Sequence, residues 1–262
     1  MRSWLTGRAA AVVSPIVGVA AVVGVWWLAV IAFHIQAIFL PEPPQLIDAF
    51  VQQGRPEYLA RRSLETLAEV AVGFTIAMLS GVLTAIVLAA FGPVRRALMP
   101  VLVGLNAIPK VALIPLLVVW LGFGIQPKIV MTVIICFFPI VVATMSGLAS
   151  TPADLGELTR ALCASKLQTY LKVRLPWALP QIFVGFKVAV PLAVIGAVVA
   201  ENNNPNRGLG SVIVVSMQSL DTPLAFACLL LLAVMSVGLY YLIEGVERVV
   251  LPWSRAISAE LR

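Results

Sequence analysis

Lys110 stands alone in a 26-residue apolar stretch from Ala97 to Gly122, between Pro109 and Val111. An ammonium at bilayer depth costs on the order of 2.5–3.5 kcal/mol unless it meets water or a partner, so this lysine must face a cavity or the protein interior. Two roles are open to it. Either it lines a translocation path and attracts an anion, or Pro109 breaks the helix and the ammonium caps freed carbonyls or pairs with a carboxylate such as Glu201. Glu201, Asn202 and Asn203 end a later apolar run, with Arg207 just beyond. That cluster suits the mouth of a path, or a loop that merely leaves the membrane. Catalytic chemistry has less to work with. The one histidine, His34, follows Phe33 at the end of an apolar run and reads as interfacial, while Cys136, Cys163 and Cys228 have neither disulfide nor metal spacing. The five lysines follow Pro109, Pro127, Ser165, Leu171 and Phe186, so no Gly-Lys-Ser/Thr end of a phosphate loop exists. The chain is expected to be no enzyme, to hold no metal or cofactor, and to leave ATP and Mg to another subunit.

A polar insert carries the other set of candidate residues. Thr151 to Tyr170 reads Thr-Pro-Ala-Asp-Leu-Gly-Glu-Leu-Thr-Arg-Ala-Leu-Cys-Ala-Ser-Lys-Leu-Gln-Thr-Tyr between two apolar runs. Thr151 is placed to cap a helix beginning at Pro152, with Asp154 in the capping-box position. Leu155, Leu158 and Leu162 then share a face. Ser165 and Gln168 repeat the capping-box spacing, which predicts a second helix from Lys166 presenting Leu167, Tyr170 and Leu171, with a turn at Cys163-Ala164. The ridge of Leu155, Leu158, Leu162, Leu167 and Tyr170, rimmed by Glu157, Arg160, Lys166 and Lys172, fits a groove on a partner protein. In the plainer reading the same leucines pack beneath a membrane domain.

The elements that must position these residues are membrane helices. Hydrophobic residues make up 61% of the chain and charged ones 11%, against roughly 25% charged in a soluble domain. Charge-free runs at Ala9–Phe33, Val70–Gly92, Ile129–Ala153 and Thr222–Ile243 each reach bilayer length. Ala97–Pro127 and Pro176–Ala200 are interrupted by Lys110 and Lys187 and complete a predicted set of six transmembrane helices. With the N-terminus in the cytoplasm, twelve basic residues fall inside and five (Arg55, Arg61, Arg62, Lys128, Arg207) outside. The positive-inside rule then places both termini and the insert in the cytoplasm. Topology accounts for the net charge of +6, and no basic cluster interleaved with aromatics suggests nucleic acid. Glu65 and Glu69 read as intrahelical partners of Arg61, and Lys187 as a snorkelling residue. Gly73, Gly81 and Gly196 read as close-packing positions.

Glu157, then Cys163 six residues on, then Val173-Arg174-Leu175-Pro176 after nine more, resemble the cytoplasmic EAA loop of permease subunits of bacterial ABC importers. Its pattern is Glu-Ala-Ala, three residues, Gly, nine residues, Ile-x-Leu-Pro. Leu158 and Thr159 replace the alanines, and Cys163 replaces the turn glycine, where a side chain is strained in a left-handed conformation. Thr66 to Phe74, with Glu69 in place of the usual arginine, Asn106 to Leu116, Trp120 to Gly124, Arg207 to Gly210 and Asp221 to Ala227 are similar to segments of the nitrate, sulfonate and taurine permease family.

The resemblance implies an all-α membrane protein with the type I ABC importer permease fold and cytoplasmic coupling helices. Residues 1–40 would carry the first transmembrane helix, and residues 41–262 the permease core with a coupling loop at 151–176. Leu155, Glu157, Leu158, Arg160, Leu162, Cys163, Ala164, Ser165, Leu167 and Tyr170 would contact the ATPase. Lys110, Glu201, Asn202 and Asn203 are the candidates for the path. The implied partners are cytoplasmic ABC ATPases, an extracytoplasmic binding protein, a second permease copy and the lipid of the bacterial inner membrane. The implied solute is small and anionic, of the sulfonate, nitrate, aromatic carboxylate or vitamin-precursor class. A membrane scaffold that docks a cytoplasmic partner without moving a solute is the alternative.

Overall fold

The computed structural model describes residues 2–52, 55–202 and 207–252, with residues 2–16 as backbone only. Among them every regular element is helical: α1 Arg2–Ala32, α2 Pro43–Val51, α3 Arg55–Ala90, α4 Gly92–Ala107, a 3-10 turn Lys110–Leu113, α5 Ile114–Leu121, α6 Gln126–Ala149, α7 Ala153–Ala161, α8 Lys166–Thr169, a π turn Tyr170–Arg174, α9 Leu175–Glu201, α10 Leu209–Gln218 and α11 Thr222–Val250. In hydrocarbon each backbone group must be satisfied within its own segment, which is why so apolar a chain forms helices.

Four helical stretches are long and apolar enough to cross a bilayer: α3, α6, the continuous run Lys166–Glu201, and α11. α4 and Lys110–Leu121 count as a fifth only as a broken span, bent by 86°. The break lies at Pro109, which has no N–H to continue the helix and holds its predecessor Ile108 extended, at φ −64° and ψ 132°. The first of the six expected spans falls on α1, whose segment with described side chains is the apolar Val17–Ala32.

Backbone packing divides the chain into two units, residues 1–60 with 212–230, and residues 61–211 with 231–262. In the first, Asp221 caps α11 by accepting from the Leu224 N–H at 3.2 Å and pairs with Arg55 at 2.9 Å. Thr222 Oγ1 donates to the Ile38 carbonyl at 2.9 Å, and Trp26 lies beside Phe226.

In the second unit α6 is the central post. A Cβ added at Gly73 would come within 2.6 Å of Thr132, and one at Gly81 within 2.9 Å of Ile140, so α3 touches α6 through its glycines. Gly185 against Ala143 and Gly196 against Thr132 seat α9 on α6 in the same way. Ile114, Leu117, Met131 and Ala200 form a buried cluster that holds α5 to this core.

Candidate functional site

The insert begins one residue later than its sequence suggests. Pro152 is the N-cap of α7 and the helix starts at Ala153. Thr151 does not cap it: its hydroxyl donates back to the Leu148 carbonyl at 3.2 Å and closes the end of α6 instead. α8 starts as expected. The Ser165 hydroxyl accepts from the Gln168 N–H at 3.2 Å, and the Gln168 side chain accepts from the Ser165 N–H at 2.9 Å, a complete capping box. Between the two helices Cys163 has φ 51°, the left-handed conformation that the turn requires and that favours glycine.

The leucines divide into two groups. Leu158, Leu162, Leu167 and Leu171 are 54%, 70%, 69% and 54% exposed. Leu155 is half-buried, and so is Tyr170, whose hydroxyl donates to the Ala89 carbonyl at the end of α3 over 2.7 Å. The plainer reading therefore holds for Tyr170, which ties the insert to the end of α3, while Leu155 is partly covered. It fails for the other four, which form an uncovered apolar ridge. Glu157 and Arg160 lie beside it, 3.9 Å apart and both exposed, a pair that contributes little by itself. Ala164 closes the turn through its N–H, which donates to the Thr159 carbonyl at 3.0 Å.

Lys110 sits at the broken helix and makes the capping bonds that the break permits. Its Nζ donates to the Asn106 carbonyl at 3.1 Å and to Asn106 Oδ1 at 2.8 Å. It does not pair with Glu201. Lys110 also lines a cavity of about 200 Å³ with Asn106, Phe137, Phe138 and Leu105 among its walls, so carbonyl capping and a place on a cavity coexist. Asn202 is exposed, while Asn203 lies outside the described residues.

Glu201 belongs to a different arrangement, built from three helices and a loop. It is fully buried, with Oε1 accepting from Thr66 Oγ1 at 2.7 Å and Oε2 from the Gly210 N–H at 2.6 Å. Thr66 Oγ1 also accepts from the Leu209 N–H at 2.9 Å. Three residues on, Glu69 pairs with Lys128 at 2.8 Å, and Lys128 also donates to the Arg207 carbonyl at 3.1 Å. Glu65 accepts from the Gly208 N–H at 3.0 Å and pairs with Arg62 and Arg61. The segment 207–210 is thus pinned to α3, α6 and α9. Gly208, at φ 85°, has the Glu201 carboxylate where a Cβ would stand. Expectation and structure differ at three residues here. Lys128, counted as a loop cation, is buried; Glu69 pairs across helices rather than with Arg61; and Lys187 forms an ion pair with Glu247 at 2.5 Å instead of snorkelling. Lys128 gave no sequence signal as a site residue, because it falls between the apolar stretches Ala97–Pro127 and Ile129–Ala153 and counts with the outside cations.

The model of the binding-protein-dependent transport system inner membrane component family matches residues 77–255. The chain belongs to this family. It is 34% identical over 220 residues to the formylaminopyrimidine transport permease protein of Halalkalibacterium halodurans, covering 84% of this chain and 88% of that one. Identity is also 34% over 228 residues to the riboflavin transport system permease protein of Chloroflexus aurantiacus, covering 87% and 85%. Against the taurine transport system permease protein of Escherichia coli it is 26% over 234 residues, covering 87% and 85%. Among solved structures, an inward-facing methionine ABC transporter superposes with a TM-score of 0.64 at 24% identity, covering 76% of this chain and 98% of that one. The chain therefore has the type I ABC importer permease fold and is a multi-pass permease subunit of an ABC importer in the inner membrane. The proteins it resembles are transport permeases.

Proposed function

We propose that this permease moves a small solute, delivered by an extracytoplasmic binding protein, by alternating access driven through residues 151–176. Two copies pair, with residues 41–262 as the permease core, and two separate ATPases bind the ATP and Mg. The observation that carries the reading is the uncovered ridge of Leu158, Leu162, Leu167 and Leu171 on two short helices. Amphipathic helices of this kind lay their apolar face into a groove on a partner. Tyr170 supports the transmission of force, because its hydroxyl fastens the insert to the end of α3. A scaffold that moved no solute would have no use for an ammonium on a cavity within a broken span, as Lys110 is placed.

The solute belongs to the anionic and vitamin-precursor class, with Lys110 as the cation that meets it and Asn202 and Asn203 nearer the outer mouth. Two relatives at 34% identity carry formylaminopyrimidine and riboflavin in their names, which favours the heterocyclic end of that class. Both termini and the insert face the cytoplasm, as the distribution of basic residues suggests.

Co-expression with ABC ATPases of the same organism, followed by uptake assays in proteoliposomes, tests the reading. Co-purification and uptake that stops without ATP are the expected results. Co-purification without any solute uptake would favour the scaffold. For the orientation, a membrane-impermeant thiol reagent added outside cells should label a cysteine placed at 207 and miss one at 160.

A further inference from the structure

A basic cavity lies beside the two short helices of the insert, and none of the four exposed leucines lines it. It measures about 570 Å³ and is bounded by Ala90 at the end of α3, by the first turn of α7, and by α8 with the π turn. That volume lies within the range of small-ligand sites. Arg160, Lys166 and Arg174 line it, and no acidic side chain does. Asp154 and Glu157 stand on α7 but outside the lining.

The hydroxyl donors that face this space are already engaged, which leaves the cations as the groups open to a ligand. Thr151, Thr159 and Thr169 already donate to the carbonyls of Leu148, Gly156 and Ser165. Tyr170 donates to Ala89, and Arg174 stacks over its ring, 4.9 Å from the centroid, with Nη1 reaching the phenol oxygen at 3.2 Å. Among the described residues neither Lys166 nor Arg174 pairs with a carboxylate. The N-cap of α7, Pro152, also lines the cavity and supplies no side-chain bond to the first turn. Three basic residues thus line a space beside the ends of α3 at Ala90 and α9 at Leu175, Arg160 reaching the Gly156 carbonyl and Glu157 as well. The floor there, Ala90, Leu155 and Val173, is apolar.

We propose that this cavity binds the phosphodiester headgroup of an anionic membrane lipid. Basic pockets at the membrane boundary between transmembrane helices take such headgroups, each cation near the surface adding about 1 kcal/mol of attraction. Arg174 and Lys166 hold the phosphate, Arg160 closes the rim, and the glycerol end lies over the apolar floor toward the bilayer. The bound lipid fills the space between the insert and the spans and stiffens the arm that carries the ridge. A free phosphate would satisfy the same cations but would leave the apolar floor unused.

The full chain, purified in a zwitterionic detergent, is titrated with phosphatidylglycerol and with phosphatidylcholine of the same acyl chains, and retained lipid is counted by native mass spectrometry. One phosphatidylglycerol should be held per chain, at least tenfold more tightly than phosphatidylcholine. Lys166→Gln and Arg174→Gln should each weaken it about fivefold, whereas Arg95→Gln, outside the cavity, should leave it unchanged. If Arg174→Gln does not fold for want of its stack on Tyr170, Lys166→Gln, exposed and without an ion pair, decides alone. Equal retention of the two lipids, or an unchanged preference in Lys166→Gln, overturns the proposal. Displacement of phosphatidylglycerol by excess inorganic phosphate would identify a free-phosphate site and also overturn it.

Discussion

Replacing Lys128 by methionine keeps a long side chain and removes the charge from a residue that is 1% exposed. Glu69 Oε1 loses the ammonium at 2.8 Å, and its Oε2 has no hydrogen-bond partner to compensate. Breaking a buried ion pair by deleting one member costs about 3–5 kcal/mol, because the remaining charge is left without compensation. For a chain of this size that is roughly 6–20 °C in melting temperature. The double variant Lys128→Met/Glu69→Met removes both charges and leaves the bonds of Glu201 to Thr66 and Gly210 in place. It still loses the donor to the Arg207 carbonyl, about 1 kcal/mol, and the attraction of the Lys128 charge for the buried Glu201. Thermal unfolding of the purified chain in detergent should therefore show a large drop for the single variant and partial recovery in the double. A single variant that melts within about 2 °C of the parent, or a double variant no better than the single, would refute the claim that this pair pins residues 207–210 to the core.

Gly208→Ala should destabilise by more than about 2 kcal/mol, since φ is 85° and the Glu201 carboxylate occupies the Cβ position; a folded yield equal to the parent's would contradict it. Cys163→Gly relieves a left-handed residue at φ 51° but adds freedom to the unfolded chain, so stability should rise by about 0–1 kcal/mol. A clear loss in the melting curve would count against that account of the turn. Lys110→Gln keeps an N–H donor for the Asn106 carbonyl and removes the charge, so folded yield should hold while uptake of an anionic solute falls. Lys110→Met should lose yield as well, by about 1–3 kcal/mol for the charge-assisted bonds. Full uptake in both variants would remove Lys110 from the path.

The features legible in the sequence are local ones. The Ser165–Gln168 capping box is set by residues three apart, and the left-handed turn at Cys163 by the spacing of the loop pattern. Pro109 marks the break in the third apolar stretch, although nothing in the sequence sets its 86° bend. The misread features depend on the rotation of whole helices about their axes. Glu69 and Lys128 are 59 positions apart, and Lys187 and Glu247 are 60, so each seemed to need a local partner or a water surface. Thr151 was misread for a related reason. Pro152, placed at the first helical residue, serves instead as the N-cap, which leaves the threonine hydroxyl free to bond back to α6. The separation of the half-buried Leu155 from the four exposed leucines likewise needed the packed structure, since Leu155 and Leu158 have the same periodicity.

Leu158→Asp, measured for ATP hydrolysis and solute uptake on the same proteoliposomes, tests the coupling role of the insert most directly. Leu158 is 54% exposed, so the variant should fold and melt like the parent. Burial of a leucine against a partner contributes about 1.5–3 kcal/mol, and a carboxylate in an apolar groove adds a desolvation penalty. Affinity for the ATPase should fall at least tenfold, and uptake should be lost or separated from hydrolysis. Parental affinity, with uptake still tied to ATP hydrolysis, would contradict the account and leave the ridge without a partner.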